Sequence, residues 1–232
     1  MSKDREKSIL EILVKEKKAT VADLAARLYI STPSIRRDLA SLEKQKLIRR
    51  VHGGAVIDES AVSQIKLPFL VREYEESSAK TQMAKMAIEL VKDGDVIFLD
   101  ASTSAYNIIP LLREKRDILV ITNGVKALQM LAQMEIPTVS TGGELVGSCM
   151  ALVGEDACDT VRKYKADVFF FSCRGMSEDG DLTDIAPKEN YVRKRMMEHA
   201  KRTYLLCGKN KIGKEYFHRL CHRDELDGVI SR

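Results

Sequence analysis

From residue 95 onward, short apolar segments alternate with segments of helical spacing. The apolar segments cover residues 95–100, 118–122, 168–172 and 204–207, and residues 138–141 are predicted as a further strand of the same series. Apolar runs of about four to eight residues are typical of strands that are buried on both faces, and strands that alternate with helices favour a parallel sheet. The sequence therefore predicts an α/β domain in which helices cover both faces of a largely parallel sheet.

The N-terminal part of the chain has a different pattern. Apolar spacing predicts a helix over residues 4–17, a second helix capped by Thr20, and a third helix with Pro33 in its first turn. A tight turn at residues 29–31 separates the second helix from the third, and residues 47–57 have the pattern of two short strands. Three helices and a hairpin in this order predict a winged helix-turn-helix.

Charge is divided unevenly between these two parts. Residues 1–57 carry 13 Lys and Arg against 7 Asp and Glu, whereas the remaining residues carry 25 against 27. A basic unit next to a slightly acidic one is typical of a chain with two kinds of partner, one of them a polyanion. We therefore expect a DNA-binding domain over residues 1–57, a linker over 58–78 and a larger α/β domain over 79–232.

The third helix is expected to enter the major groove of DNA by its N-terminal end. Arginines at this place can bond guanine in bidentate fashion or hold phosphates, and hydroxyl groups suit either contact. The alternative is a solvated helical bundle whose arginines pair with Asp38 and Glu43, but the clustering of basic residues on helix and hairpin favours DNA. The predicted DNA contacts are Ser31, Thr32, Ser34, Arg36, Arg37, Arg49, Arg50 and His52.

Polar residues and glycines follow each predicted strand of the larger domain. Ligands of parallel sheets bind at the carboxyl ends of the strands, and a helix start with free amides and hydroxyls suits a phosphate. Each loop alone is more typical of a turn or a helix cap, since turns favour these residues, but together the loops predict a site for a small phosphorylated ligand. The candidate residues are Asp100, Ser102, Thr103, Ser104, Thr122, Asn123, Gly142, Gly143, Arg174, Asp184 and Lys211.

Several stretches resemble the DeoR family of bacterial transcription regulators. In the DNA-binding part they are residues 5–10 (REKSIL), 31–39 (STPSIRRDL) and 50–55 (RVHGGA). In the larger part they are 98–100 with Thr103, 122–123, 142–143, 152–154, 175–184, Glu189 and 211–213. The resemblance covers nearly the whole chain, and it implies an effector domain with a fold like that of ribose-5-phosphate isomerase.

The resemblance also implies roles for single residues. It assigns the phosphate of an effector to Ser102, Thr103, Ser104 and Lys211, and the sugar to Asp100, Arg174, Asp184 and Glu189. Two departures from the family pattern affect these expectations. Ser102 stands where many members have glycine, which narrows the phosphate site. The family continues for another strand and helix beyond residues 227–232, so the resemblance leaves the last part of the sheet, and any subunit contact there, open.

These observations predict a sequence-specific DNA-binding regulator, a repressor of carbohydrate-metabolism genes, that responds to a phosphorylated sugar. We expect it to act as a homo-oligomer, a dimer or a tetramer, and to need no cofactor. One alternative is an enzyme, a sugar-phosphate isomerase or deaminase in which Asp100, Asp184 or Glu189 moves a proton. Another is a DNA-binding protein whose pocket has lost its ligand.

Other features exclude several classes of protein. No apolar run approaches the roughly 20 residues of a membrane span, and no secretory signal follows the charged N-terminus. Five cysteines, an odd number, indicate reduced thiols and a cytoplasmic protein, with Cys173 and Cys207 buried at strand ends. His218, Cys221 and His222 lack the second cluster that a metal site needs, and no GxxxxGK[ST] loop for nucleotide phosphates is present.

Overall fold

The structure is a computed structural model that describes residues 2–45, 47–57, 69–74 and 76–232. It divides into two compact units, Met1–Glu75 and Glu76–Arg232. Of the predicted linker, residues 58–68 and 75 lie outside the described residues, whereas residues 69–74 form a short helix and Ser77 begins the next one. The domain limits given above remain a prediction.

The N-terminal unit is a winged helix-turn-helix, as predicted. Its helices are α1 (Ser2–Glu16), α2 (Val21–Leu28), α3 (Thr32–Lys44) and α4 (Phe69–Tyr74). Its strands are β1 (Lys18–Thr20), β2 (Ile48–Val51) and β3 (Gly54–Ile57), paired antiparallel in the order β1-β3-β2. The sequence pattern missed β1, because three residues are too few to show an alternation of apolar and polar side chains.

Local signals fix the ends of α2 and α3. Thr20 Oγ1 accepts a hydrogen bond of 3.0 Å from the Asp23 amide, which confirms the predicted cap of α2. Pro33 lies in the first turn of α3, where its missing N–H leaves no helical bond unmade. Leu24, Ile35 and Leu39 bury their side chains between the helices. Burial of this apolar face, more than helix propensity, stabilises helices as short as these.

The wing formed by β2 and β3 is held against the start of α2. A Cβ atom at position 54 would lie 2.3 Å from the carbonyl oxygen of Ala19, so only glycine fits there. The carbonyl oxygen of Gly53 accepts a hydrogen bond of 2.8 Å from the Val21 amide. The two glycines that the sequence places at the hinge of the hairpin therefore also attach the wing to α2.

The C-terminal unit is an α/β domain. Its strands are β4 (Val96–Leu99), β5 (Leu119–Thr122), β6 (Thr138–Ser140), β7 (Glu144–Val146), β8 (Ala151–Val153), β9 (Val168–Phe171), β10 (Gly175–Met176), β11 (Asp181–Asp184), β12 (Thr203–Cys207), β13 (His218–His222) and β14 (Gly228–Ser231). Its α-helices are α5 (Ser77–Ile88), α6 (Thr103–Tyr106), α7 (Val125–Gln133), α8 (Glu155–Arg162) and α9 (Pro187–Glu198). Short 3-10 helices cover Ile109–Glu114, Lys209–Lys211 and Arg223–Glu225.

The main sheet has six parallel strands in the order β14-β12-β9-β4-β5-β6. All five predicted strands belong to it. Side chains alternate between its faces: Phe169 and Phe171 lie in one apolar core with residues of α8 and α9, whereas Phe170 lies in a second core with residues of α5 and α7. The predicted cover of helices on both faces is therefore confirmed.

The end of the chain forms a strand that the sequence did not predict. Gly228–Ser231 pairs in parallel with Tyr204–Cys207 and forms an edge strand of the main sheet. A separate antiparallel sheet, β10-β11-β13, and the hairpin β7-β8 were also not predicted. Four of these strands are only two to four residues long, and the longest, His218–His222, is mostly polar, so no apolar run marks them.

Candidate functional site

The N-terminal half of α3 exposes a basic and hydroxyl-bearing face. Arg36, Arg37 and Thr32 are exposed, and Ser31 Oγ donates to Ser34 Oγ at 3.0 Å. Among the described residues, neither Arg36 nor Arg37 has a carboxylate partner. Their guanidinium groups therefore point to water with all donors available, which is the state that contact with DNA requires.

The acidic residues that the bundle alternative assigned to these arginines have other partners. Asp38 is buried, and its carboxylate accepts hydrogen bonds from Arg5 Nε at 3.0 Å and Nη2 at 3.2 Å. This pair joins α1 to α3, and the bonds to Asp38 raise the pKa of Arg5. Glu43 accepts a bond of 2.9 Å from the Arg50 amide. The acids of α3 thus hold the fold of the unit and leave its arginines exposed.

The wing adds a second basic surface. Arg49, Arg50 and His52 are exposed on β2 and the following turn, and Val51 is 41% exposed beside them. Arg50 Nη1 lies 4.0 Å from Glu43 Oε2, a contact too long for a strong ion pair. Seven of the eight predicted DNA contacts are therefore exposed, and the eighth, Ser34, is half-buried.

In the C-terminal unit, a buried arginine connects the loops at the carboxyl edge of the main sheet. Arg193 of α9 is 4% exposed. Its Nε donates to Asp100 Oδ2 at 2.8 Å, Nη1 to Asp184 Oδ2 at 2.9 Å and Nη2 to Glu189 Oε2 at 3.3 Å. Nη1 also donates to Asn190 Oδ1 at 2.8 Å. One guanidinium thus faces three carboxyl groups from three segments of the chain.

Arg193 supplies the positive charge that compensates the three carboxyl groups of this buried cluster. Burial alone would lower the pKa of Arg193, but attraction by Asp184, Asp100 and Glu189 outweighs it and raises the pKa. Arg193 therefore stays charged, and its removal would leave carboxyl groups buried without compensation. Sequence reasoning had selected all three acids but not Arg193. The spacing of Glu189 and Arg193 at i and i+4 on one helix was a signal for the pair.

Asp100 organises the loop after β4. Its Oδ1 accepts the Ser102 amide at 3.0 Å, while its Oδ2 accepts the Ser172 amide at 3.4 Å besides Arg193. Ser102 Oγ in turn accepts the Ala105 amide at 3.1 Å and caps α6. Thr103 and Ser104 form the first turn of α6, where backbone amides have no acceptor within the helix. The predicted phosphate loop is therefore fixed by Asp100.

Ser172 connects this loop to Lys211. Lys211 Nζ donates to Ser172 Oγ at 2.8 Å, and Ser172 Oγ donates to the Leu206 carbonyl at 2.6 Å. Since the Ser172 amide also bonds Asp100, the loops after β4, β9 and β12 share one hydrogen-bond network. Ser172 was missed as a site residue because it is the last residue of an apolar segment.

Two buried thiols lie beside Lys211. Cys173 and Cys207 are buried, as predicted, and all five cysteines of the chain are free. A hydrogen bond from Cys173, helped by the positive charge of Lys211, lowers the pKa of Cys207. The same pairing, together with burial, raises the pKa of Cys173. The positive charge of Lys211 thus acts on both thiols, one just after β9 and one at the end of β12.

The loops after β5 and β6 follow along the same edge. Thr122 Oγ1 accepts the Gly124 amide at 3.0 Å, and Asn123 Nδ2 donates to the Leu152 carbonyl at 3.0 Å. Asn123 Oδ1 is buried and has no partner in the described part of the chain. Gly142 and Gly143 have φ of 65° and 101°. A Cβ atom on Gly143 would lie 2.4 Å from the Val153 carbonyl oxygen, so packing against β8 requires this glycine.

The network joins some of the predicted effector residues and leaves others beside it. Asp100, Ser102, Asp184, Glu189 and Lys211 are connected through Arg193 and Ser172. Thr103 and Ser104 follow Ser102 in the same loop. Within the described residues, the hydrogen bonds of the network do not reach Thr122, Asn123, Gly142, Gly143 or Arg174. Arg174 is half-buried, and its amide donates to the Thr183 carbonyl at 3.2 Å.

Two family models match the chain, one to each part of it. The model of the DeoR-like helix-turn-helix domain matches residues 5–61, and that of the DeoR C terminal sensor domain matches residues 75–232. The chain belongs to the DeoR family. It is accordingly a transcription regulator with a DNA-binding head and a sensor domain, and the sequence-based assignment to this family is confirmed.

Curated relatives of this DeoR-family chain match it over almost its full length. The putative aga operon transcriptional repressor of Escherichia coli O157:H7 is 27% identical over 98% of this chain and 85% of its own. The L-fucose operon activator of E. coli K12 is 28% identical over 100% of this chain and 95% of its own. Among solved structures, ribose 5-phosphate isomerase A of Methanocaldococcus jannaschii is similar, with a TM-score of 0.44, 23% identity and coverage of 57% of this chain and 53% of that one.

The described residues of this regulator contain no helix that combines the length and apolar character needed to cross a membrane. Nor do they contain a group of three or more His, Cys, Asp or Glu side chains able to hold a metal ion. In particular, His222 Nε2 is hydrogen-bonded at 2.8 Å to the Asp179 carbonyl, and its Nδ1 accepts the Asp224 amide at 3.3 Å.

Proposed function

We propose that the protein represses carbohydrate-metabolism genes by binding an operator as a homo-oligomer, and that a phosphorylated sugar controls this binding. The observation that carries the proposal is the pair Arg36 and Arg37, both exposed on α3 while the acids of that helix bond elsewhere. The names of the relatives, which describe regulators of a sugar operon and of the aga operon, support the choice of genes.

In this proposal α3 enters the major groove by its N-terminus. Arg37 and Arg36 bond base edges or phosphates there, and the hydroxyls of Ser31, Thr32 and Ser34 bond the backbone or bases. Arg49, Arg50 and His52 on the wing contact the backbone or the minor groove. Because a two-fold oligomer presents two heads, half-sites must lie about one turn of DNA, or a multiple of it, apart.

The proposed effector site lies at the carboxyl edge of the main sheet. The first turn of α6, with Ser102, Thr103 and Ser104, and the ammonium group of Lys211 hold the phosphate. Arg174, Glu189 and the unpartnered Asn123 Oδ1 face the sugar, whereas Asp100 and Asp184 act chiefly by holding Arg193 and the loop. This division refines the roles that family resemblance implies, because the oxygens of both aspartates already accept bonds from the protein.

Control of DNA binding requires a coupling between the two units. An effector shifts an equilibrium between two arrangements of the oligomer only as far as its affinities for them differ. We infer that the arrangement favoured by the effector places the two heads at the wrong spacing for the operator. Relatives include a named repressor and a named activator, so the direction of the effect is tested by a reporter gene placed behind the operator.

We infer further that the protein is not an enzyme and acts in the cytoplasm. An isomerase needs a carboxylate that reaches a substrate carbon, but Asp100, Asp184 and Glu189 all bond Arg193. The five free thiols support a reducing compartment. Turnover of any aldose- or ketose-phosphate by the purified protein would overturn the first inference.

The DNA part is tested by fluorescence anisotropy with a duplex from upstream of this protein's own gene. Arg37→Ala should weaken binding by about 1–3 kcal/mol if Arg37 bonds a base. Arg113→Ala, which removes an exposed arginine from the other unit, should leave binding unchanged. An equal loss on random DNA would restrict Arg37 to phosphate contact, and an unchanged affinity would contradict the proposed interface.

A further inference from the structure

The turn between α2 and α3 contains a residue that is unusual for its backbone conformation. Tyr29 ends α2 with φ 55° and ψ 42°, and its amide donates to the Ala25 carbonyl. Helices commonly end in this left-handed conformation, but the residue there is usually glycine or asparagine because a bulky side chain is unfavourable. The backbone conformation of this turn therefore does not explain why a tyrosine stands at position 29.

The side chain of Tyr29 does not contribute to the core either. It is 96% exposed, the highest value among the large apolar and aromatic residues of the described chain. The turn is packed by its neighbours: Leu24 is buried, Ile30 is half-buried, and the Ile30 amide donates to the Ala25 carbonyl at 3.0 Å. A large ring with a hydroxyl group is therefore held in water at a site where neither folding nor packing requires it.

The position of Tyr29 in the helix-turn-helix indicates which part of the DNA its side chain contacts. It lies two residues before Ser31, the N-cap of α3, and α3 carries the exposed Thr32 and Arg36. A recognition helix enters the major groove by its N-terminus, so the residues just before it lie at the rim of the groove, along which the phosphates run. Tyrosine hydroxyls are among the groups that donate hydrogen bonds to DNA phosphates.

We propose that Tyr29 is a DNA-backbone contact, whose hydroxyl donates a hydrogen bond to a phosphate at the rim of the major groove. The inference rests on the proposed binding of DNA by α3. It adds a residue to the interface that the basic and hydroxyl residues of α3 and the wing do not include. A phosphate contact positions the head and carries no sequence information, so its loss affects all DNA sequences alike.

The test compares Tyr29→Phe with the wild type in the full chain. Phenylalanine keeps the ring and the backbone conformation and removes only the hydroxyl. The probes are a duplex that the wild type enriches from a random pool and a duplex of unrelated sequence. The dissociation constant of Tyr29→Phe should rise roughly three- to tenfold on both. Its dependence on salt should keep the wild-type slope, because a neutral side chain releases no counterion.

A second variant separates contact with DNA from a structural role. Tyr29→Gly suits the left-handed conformation better, so its thermal unfolding midpoint should rise by a few degrees while its affinity for both duplexes falls. A merely structural tyrosine would not give a more stable protein that binds DNA more weakly. Tyr191→Phe, a change at another exposed tyrosine in the other unit, serves as the control.

The possible outcomes distinguish this inference from the proposed function. Wild-type affinity of Tyr29→Phe for both duplexes would overturn the phosphate contact, whatever Tyr29→Gly does, and would leave the role of α3 intact. A loss confined to the enriched duplex would also overturn it, because that result indicates contact with a base. A wild-type protein that enriches no duplex from the random pool would overturn the proposed function and this inference together.

Discussion

Arg193 Nε lies 2.8 Å from Asp100 Oδ2, and this buried bond joins α9 to the loop after β4. The bond connects an ion cluster to the proposed phosphate loop, because the other oxygen of Asp100 accepts the Ser102 amide at 3.0 Å. The position of α9 is thereby coupled to the shape of the loop. A ligand that binds to the Ser102 loop or to Glu189 therefore contacts the hydrogen-bond network of Asp100 and Arg193.

Replacement of Arg193 should destabilise the C-terminal unit severely. Arg193→Met leaves three carboxyl groups buried without their cation, so we expect the free energy of unfolding to fall by about 3–5 kcal/mol. Denaturant titration followed by circular dichroism measures this change. Lys194→Met removes an exposed cation next to it on α9 and should cost less than about 0.5 kcal/mol. Equal stability of the two variants would contradict the role given to Arg193.

Lys211 should be needed for the effector response and not for DNA binding. Lys211→Ala removes the ammonium group that donates to Ser172 and that we assign to the effector phosphate. DNA affinity without effector should stay at the wild-type value, whereas the shift in affinity caused by sugar phosphates should disappear. Lys209→Ala, in the same 3-10 helix but exposed, is the control. A full response in Lys211→Ala would move the phosphate site to another part of the sheet edge.

Packing against β8 requires glycine at position 143, and a nearby glycine, Gly147, provides the control for this claim. Gly143 has φ 101°, and an added Cβ would lie 2.4 Å from the Val153 carbonyl oxygen. Gly143→Ala should therefore lower the free energy of unfolding by roughly 1–3 kcal/mol. Gly147→Ala adds the same methyl group where nothing lies within 4 Å, and it should be neutral or slightly stabilising. Thermal unfolding of both variants decides the matter, and a neutral Gly143→Ala would refute the packing argument.

Asp167 should make stability depend on pH in the acid range. A hydrogen bond from Lys201, joined by one from the Val96 amide, lowers the pKa of Asp167 in the folded protein. A lowered carboxyl pKa stabilises the fold above the unfolded pKa of about 4, and this stabilisation is lost as the pH falls through the folded pKa. Asp167→Asn should therefore be less stable than the wild type at pH 7, with the difference shrinking below about pH 4. A difference that persists at pH 2 would point to packing instead.

The sequence was sufficient for most of the architecture because apolar runs mark buried parallel strands. It predicted all five runs that became strands β4, β5, β6, β9 and β12, and the helices between them. It did not predict β1, β7, β8, β10, β11 or β13, because strands that are very short or mostly polar leave no such mark. Gly228–Ser231 was not predicted either, since a strand at the edge of a sheet carries fewer apolar residues than one at the centre.

The candidate effector site was predicted only in part, again because some of its residues follow recognisable strands and others do not. Residues just after strands, such as Asp100 and Lys211, could be found because parallel strands bring their carboxyl ends to one edge. Arg193 lies in the middle of a helix, and only folding brings it against Asp100 and Asp184, which belong to other segments of the chain. That Asp38 bonds Arg5, and leaves Arg36 and Arg37 exposed, likewise depends on how α1 packs against α3.

The central claim is that DNA binding responds to a phosphorylated sugar. The most direct measurement is the anisotropy of a labelled duplex from upstream of this protein's own gene, at ~150 mM salt where non-specific contacts are weak. Sugar monophosphates are titrated one at a time, each beside its unphosphorylated form. We predict tight binding that one phosphorylated sugar changes and that its free form leaves unchanged. Tight binding that responds equally to both forms, or to none of the panel, would contradict the claim.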